Sequence, residues 1–137
     1  MTAPETKADT ATTTAAPTSK VRYLVDDVQK AADFYTTHLG FTLDMNFPPA
    51  IAQVTRGPLS LLLSGPTTSG ARATPDELKT AGRNRIHLIV DDLDAEIDRL
   101  KSAGFSFRSE LISGPGGRQI LLTDPAGNLI ELFQPAH

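Results

Sequence analysis

Val21-Arg22-Tyr23-Leu24-Val25-Asp26-Asp27-Val28 recurs 65 positions later as Ile86-His87-Leu88-Ile89-Val90-Asp91-Asp92-Leu93. In the first copy Val21, Tyr23 and Val25 alternate with Lys20, Arg22 and Leu24, the period of two that marks a strand with two different faces. The aspartate pair suits a helix start, because a carboxylate there accepts backbone N–H groups that lack a partner within the helix and meets the positive end of its dipole. Val28, Ala31, Ala32, Phe34 and Tyr35 then fall on one side of a helix predicted over 28–38, with Asp26 or Asp27 as N-cap and Gly40 as the stop. The second copy predicts a strand over 86–90 and a helix over 93–103, with Leu93, Ile97 and Leu100 on its buried side and Gly104 ending it. A βα unit with one apolar sheet face cannot bury that face alone, so two copies in one chain must pair and enclose something between them. Function is expected in that enclosure.

Each half continues in the same order. A second strand is predicted from Phe41, a third over 53–55, a turn at Gly57-Pro58 and a fourth strand over 59–64. The stretch 66–84 breaks the pattern with Gly, Thr, Pro and Arg; it reads as a linker or flap, with a short helical turn at Pro75-Asp76-Glu77-Leu78. In the second half, strands are predicted over 105–109, 119–122 and 129–133, separated by Gly114-Pro115-Gly116-Gly117 and by the tight turn Asp124-Pro125-Ala126-Gly127-Asn128. The fold expected is α+β: paired βαβββ modules over 20–65 and 85–135, joined by 66–84 into one domain over 20–135. Residues 1–19, mostly Thr, Ala and Pro, hold too few large apolar side chains to offset the entropy of ordering. A flexible N-terminal tail is expected there, lying on its own domain or on a neighbour.

Composition narrows the function classes. At 137 residues and 39% hydrophobic content the chain suits one domain with an ordinary core. No apolar run approaches the roughly 20 residues that span a bilayer, and the start of the chain lacks the apolar segment of a secretory signal. A soluble, cytoplasmic protein with no membrane partner is expected. Zero cysteines exclude disulfides, thiolate catalysis and thiolate metal sites. A net charge of −3, without a basic and aromatic patch, argues against a nucleic-acid partner. Gly114-Pro115-Gly116-Gly117-Arg118 is not a phosphate loop, because no Lys-Ser or Lys-Thr follows and no helix begins there; a hairpin beside the enclosure is expected.

Leu24-Val25-Asp26-Asp27-Val28 with Phe34-Tyr35 and Leu39-Gly40-Phe41, then Val90-Asp91-Asp92-Leu93, then Asp124-Pro125-Ala126-Gly127-Asn128-Leu129-Ile130-Glu131-Leu132, resembles the vicinal oxygen chelate superfamily, the group of glyoxalases, bleomycin-resistance proteins and extradiol dioxygenases. The resemblance covers residues 20–135. It implies curled sheets that form a cup, often completed by a homodimer. It does not select an activity, since the fold hosts lyases, isomerases, dioxygenases and proteins that only sequester a drug.

The same resemblance implies metal-ligand positions at the start of the first strand and near the middle of the last strand of each half. Counting back seven residues from the second Asp of each pair gives Lys20 and Arg85. Aligning 59–66 with 129–135 gives Leu61 and Glu131. Neither cation can serve, and a divalent ion usually needs three or four His or carboxylate ligands, so no metal site and no cofactor are expected. A register two residues later would bring in His87, with Arg22 as its counterpart, and no third ligand; His38 and His137 lie away from the cup.

Parity along the strands sends Lys20, Arg22, Arg85 and His87 to the face expected to hold Leu61 and Glu131, while Val21, Tyr23, Ile86 and Leu88 face the helices. Glu131 reads either as a structural ion pair with Arg85 or Lys20, or as part of a ligand site. In the second reading the cations neutralise a carboxylate, phenolate or enolate, and His87 or Glu131 moves a proton as candidate catalytic residues. Arg85 is the stronger anchor because its planar fork can hold a carboxylate at two points. Phe47 and Phe133 could stack on an aromatic ligand, or serve as core like Phe107; Phe47-Pro48-Pro49 suits a pocket rim. The leading expectation is a metal-independent protein that binds or sequesters an aromatic or anionic metabolite or antibiotic, as a homodimer. The alternatives are a metal-independent isomerase, cyclase or lyase using His87 and Glu131, and a metal-dependent glyoxalase or dioxygenase with a divalent ion.

Overall fold

The aspartate pairs start helices as their chemistry requires. In the computed structural model, which describes residues 19–136, Asp27 caps α1 (Val28–His38) by accepting from the Lys30 N–H at 3.0 Å. Asp92 caps α3 (Leu93–Ser102) by accepting from Ala95 N–H at 3.1 Å. The expected tail and His137 lie outside the described residues. Strand β1 (Val21–Leu24) precedes α1, and β2 (Thr42–Phe47), β3 (Ile51–Arg56) and β4 (Leu59–Ser64) follow it. A short helix α2 (Ser69–Ala73) and a 3₁₀ turn (Asp76–Leu78) occupy the linker. Strand β5 (Arg85–Ile89), α3, β6 (Ile112–Gly114), β7 (Gly117–Thr123) and β8 (Leu129–Pro135) complete the second half.

The two halves form four-stranded mixed sheets of identical topology, β1-β4-β3-β2 and β5-β8-β7-β6, in which the first and last strands of each half run parallel. The fold is α+β, curled rather than closed, as the repeat predicts. One core joins the helix-facing sides of both sheets. Tyr23, Leu61, Leu63, Ala52 and Val54 from the first sheet meet Leu88, Ile120, Leu122, Ile130 and Leu132 from the second through α1 and α3. Between the halves, Phe34 packs edge-on to Phe105 at 5.4 Å, Arg99 donates to the His38 carbonyl, and the buried Tyr35 hydroxyl donates to Asp124 Oδ2 at 2.8 Å. Burial, followed by the Asp124 charge and hydrogen bond, pushes the Tyr35 phenol far above its ordinary range.

Two elements depart from expectation. The segment 105–109 is not a strand: Arg108 N–H donates to the Leu121 carbonyl, but the Leu121 N–H goes to the Ser109 hydroxyl. A side chain therefore takes a place in the ladder that backbone would hold, and pairing begins only at β6. The linker carries α2, whose start is capped by Thr68 accepting from Ala71 N–H.

Candidate functional site

Strand register assigns the faces. His87 stands beside Glu131 on β5 and β8, and Glu131 stands opposite Leu121 on β7, so these side chains share the side away from the helices with Arg85, Phe133 and Gln119. In the first sheet Arg22 stands beside Leu62, and Leu62 opposite Gln53. Leu61 does not belong to this face. It is level with Val21, fully buried, and part of the core with Tyr23 and Leu63. The expectation for Leu61 is corrected by one residue: Leu62, beside Arg22, is the counterpart of Glu131, beside His87.

On the second sheet the structure gathers Arg85, His87, Glu131 and Phe133. Glu131 Oε1 accepts from Arg85 Nε at 3.2 Å and from a terminal guanidinium nitrogen at 2.7 Å. Its Oε2 lies 2.8 Å from His87 Nδ1. The His87 ring in turn packs against Phe133, centroids 4.9 Å apart. Desolvation at the sheet pushes the Glu131 carboxyl up, but hydrogen bonds from Arg85 and His87 and their charges outweigh it and hold the group below its ordinary value. An ionised Glu131 makes Nδ1 the protonated nitrogen of His87, leaving Nε2 for the cup. Beyond Phe133 lies a recess of about 190 Å³ lined by Ile112, Gly114, Gly116, Gly117, Gln119 and Phe133. Gly117 is required where β7 starts against β8, since a Cβ there would come within 2.2 Å of the Gln134 carbonyl and 2.9 Å of Phe133 Cζ.

The remaining expected site residues sit apart. Lys20 is exposed just ahead of β1. Arg22 donates to the Ser64 hydroxyl at 3.0 Å and is overlaid by α2, where a Cβ on Gly70 would collide with its guanidinium. Phe47 ends β2 with 63% of its surface exposed, on the other sheet from Phe133. Phe107 packs against the core. Gln119 and Leu121 are not among the expected site residues, whereas the glycine hairpin that lines the recess is expected beside the enclosure. Their signal in the sequence was the strand 119–122 next to a glycine loop, which reads equally as an ordinary hairpin.

A divalent ion does not fit the donors present. Both Glu131 oxygens are engaged by Arg85 and His87, and the counterpart of Glu131 is a leucine. Among the described residues no three His, Asp or Glu side chains converge. The depressed Glu131 carboxyl gives a first prediction. A lowered folded-state value contributes stability that is present above the unfolded value near 4.5 and lost as pH falls through the folded one. Urea midpoints measured from pH 6 to 3 should fall below about pH 4.5, and Glu131→Gln should flatten part of that slope. Parallel curves for both proteins would remove Glu131 from the acid response.

A family model described as the Glyoxalase/Bleomycin resistance protein/Dioxygenase superfamily matches residues 18–132. Among curated proteins none matches the chain in sequence. Solved structures similar to it include TnmS3, an antibiotic binding protein from Streptomyces sp. CB03234, at 29% identity and TM-score 0.66 over 90% of this chain and 100% of that one. A glyoxalase/bleomycin resistance protein from the same organism is 31% identical, with TM-score 0.60 over 85% of this chain and 100% of its own. A lactoylglutathione lyase from Agrobacterium tumefaciens, 22% identical with TM-score 0.68 over 88% and 96%, shares the fold. No helix among the described residues is long and apolar enough to cross a membrane.

Proposed function

Because the chain belongs to the glyoxalase/bleomycin resistance protein/dioxygenase superfamily, we propose that it binds and sequesters a planar aromatic small molecule, a metabolite or an antibiotic, without a metal. The observation that carries this reading is the internal charge balance of Arg85 and Glu131 beside an aromatic, glycine-lined recess. A metal enzyme of this fold needs carboxylates with free lone pairs, whereas here both oxygens of Glu131 are engaged by the protein's own Arg85 and His87. The likeness to an antibiotic binding protein at 29% identity supports the same direction. A second reading rests on the Glu131–His87 contact: a carboxylate that orients an imidazole is also the arrangement of a general base. It would make the chain a metal-independent isomerase or lyase acting on a ligand in the same recess.

The test is a panel of planar aromatic compounds screened by thermal shift, with elemental analysis of the purified protein. A ligand at 100 times its Kd should add about 2.7 kcal/mol of stability. Zn, Ni, Mn and Fe should all be below one per chain. One tightly held ion per chain, or no aromatic that raises the melting temperature, would sink the reading; turnover of a bound compound would favour the second.

The cup needs an opposing wall. On the faces away from the helices Phe47, Ile89 and Ile112 stand 63%, 59% and 52% exposed, and among the described residues no strand of one sheet pairs with a strand of the other. We infer that these apolar side chains meet a partner surface. The proposed occupant is a second copy of the chain, and light scattering should give twice the 14.6 kDa chain mass. A monomer at micromolar concentration would leave the half-cup open and refute the pairing.

A further inference from the structure

His87 differs from Arg85 and Glu131 in having one nitrogen assigned and one to spare. Nδ1 lies 2.8 Å from Glu131 Oε2, and that carboxylate also receives two hydrogen bonds from Arg85. A carboxylate accepts only, so the contact fixes a proton on Nδ1, and a ring that carries that one proton presents Nε2 as an acceptor. The ring is held on its other side by Phe133 at 4.9 Å, which limits its rotation. Its side chain remains 47% exposed on the cup face, and no polar group of the described residues meets Nε2.

We infer that His87 Nε2 is the specificity-determining acceptor of the site and selects an aromatic ligand that carries a hydroxyl donor. The inference rests on the binding reading above and names the chemistry of its ligand. Two neighbouring charges exclude the simpler alternatives. A ligand carboxylate near Nε2 would find the Arg85 guanidinium already engaged by Glu131 and would approach the Glu131 charge itself. A ligand cation would find the Glu131 charge already matched by Arg85. A neutral hydroxyl on an aromatic ring meets neither penalty, and it supplies the donor that Nε2 lacks. The recess beyond Phe133, about 190 Å³, has room for one or two fused rings. The nearest polar side chain in its wall is Gln119, which can serve a second oxygen at the far edge of such a ring system.

The probes are 1-naphthol, 1-methoxynaphthalene and 1-naphthoate, titrated calorimetrically into the full-length protein at pH 7. A net hydrogen bond is worth about 0.5–1.5 kcal/mol, so naphthol should bind roughly three- to tenfold more tightly than its methyl ether. His87→Phe, which keeps the ring and removes Nε2, should bring the two to within about twofold by weakening naphthol alone. If that variant folds poorly, ¹⁵N spectra of the parent protein decide: naphthol should shift the unprotonated nitrogen of His87, and the ether should not. Equal binding of naphthol and ether by the parent overturns the acceptor assignment while leaving aromatic binding intact. Naphthoate binding tightest also overturns it, since a ring that takes up a second proton would donate from Nε2 and favour the anion. Failure of all three probes to bind overturns the binding reading and this inference with it.

Discussion

Asp124→Ala is expected to lower the melting temperature by on the order of 10–20 °C, which makes a loop aspartate one of the most sensitive positions in the chain. Asp124 is 4% exposed and accepts four hydrogen bonds: from the Tyr35 hydroxyl, from the backbone N–H groups of Ala126 and Asn128, and from Asn128 Nδ2. The Asn128 side-chain oxygen continues the network by accepting from Asn84 N–H, at the end of the linker. The aspartate therefore closes the β7–β8 turn and ties it to α1 of the other half. Alanine would leave buried donors without partners, at about 1–3 kcal/mol each where water cannot reach, and a total of roughly 3–5 kcal/mol is a large share of a domain's stability. Tyr35→Phe removes a single member and should cost about 1–2 kcal/mol. Urea denaturation of both variants and of the double variant checks the account. The two losses should be clearly non-additive; simple addition would mean that the Tyr35–Asp124 bond does not couple the halves.

The repeat that opens the chain made the fold legible, because period-2 strands, capped helices and glycine stops all recur in the same order. Asp27 and Asp92 were readable as caps, since helix N-termini impose a chemical demand that sequence alone can meet. The Asp124-Pro125-Ala126-Gly127-Asn128 segment was readable as a turn but not as the bridge to Tyr35, which depends on how two halves dock. Leu61 shows where strand parity fails. In Leu61-Leu62-Leu63 apolar residues occupy both faces of a buried strand, so nothing in the run distinguishes the core side from the cup side, and a one-residue slip exchanges them. The β8 segment alternates Ile130, Glu131 and Leu132, and there the charged residue fixes the parity unambiguously.

Within the cup, the sequence named Arg85, His87, Glu131 and Phe133, and the structure brings these four together. What sequence left open was the partition of charge among them. Arg85 could hold a ligand anion or Glu131, and both are sound chemistry for a guanidinium. The strand register decides, because β5 and β8 are hydrogen-bonded neighbours that place Glu131 within reach of Arg85 and His87 together. Arg22 and Phe47, expected beside these groups, lie on the other sheet, a separation set by helix-side docking of the halves.

Glu131→Gln is expected to convert the cup from one indifferent to anions into one that prefers them. In the parent protein the guanidinium of Arg85 spends Nε and one terminal nitrogen on Glu131 Oε1, so its charge is matched before any ligand arrives. Glutamine keeps the size and can still accept, but it removes the negative charge. Arg85 then becomes an unmatched cation on the cup face of the second sheet, and a carboxylate can pair with it. Hydrogen bonds to charged groups contribute about 1.5–3 kcal/mol, and because Arg85 is 48% exposed the low end of that range applies, about a tenfold gain in 1-naphthoate affinity. Calorimetry on the parent and on Glu131→Gln measures the gain directly, and raising salt from 50 to 300 mM should shrink it, as screening requires. Adding Arg85→Ala to the variant should abolish it. If naphthoate affinity does not rise, or if the gain survives loss of Arg85, the anion preference does not reside in this guanidinium, and charge matching by Glu131 is not what shapes the specificity of the cup.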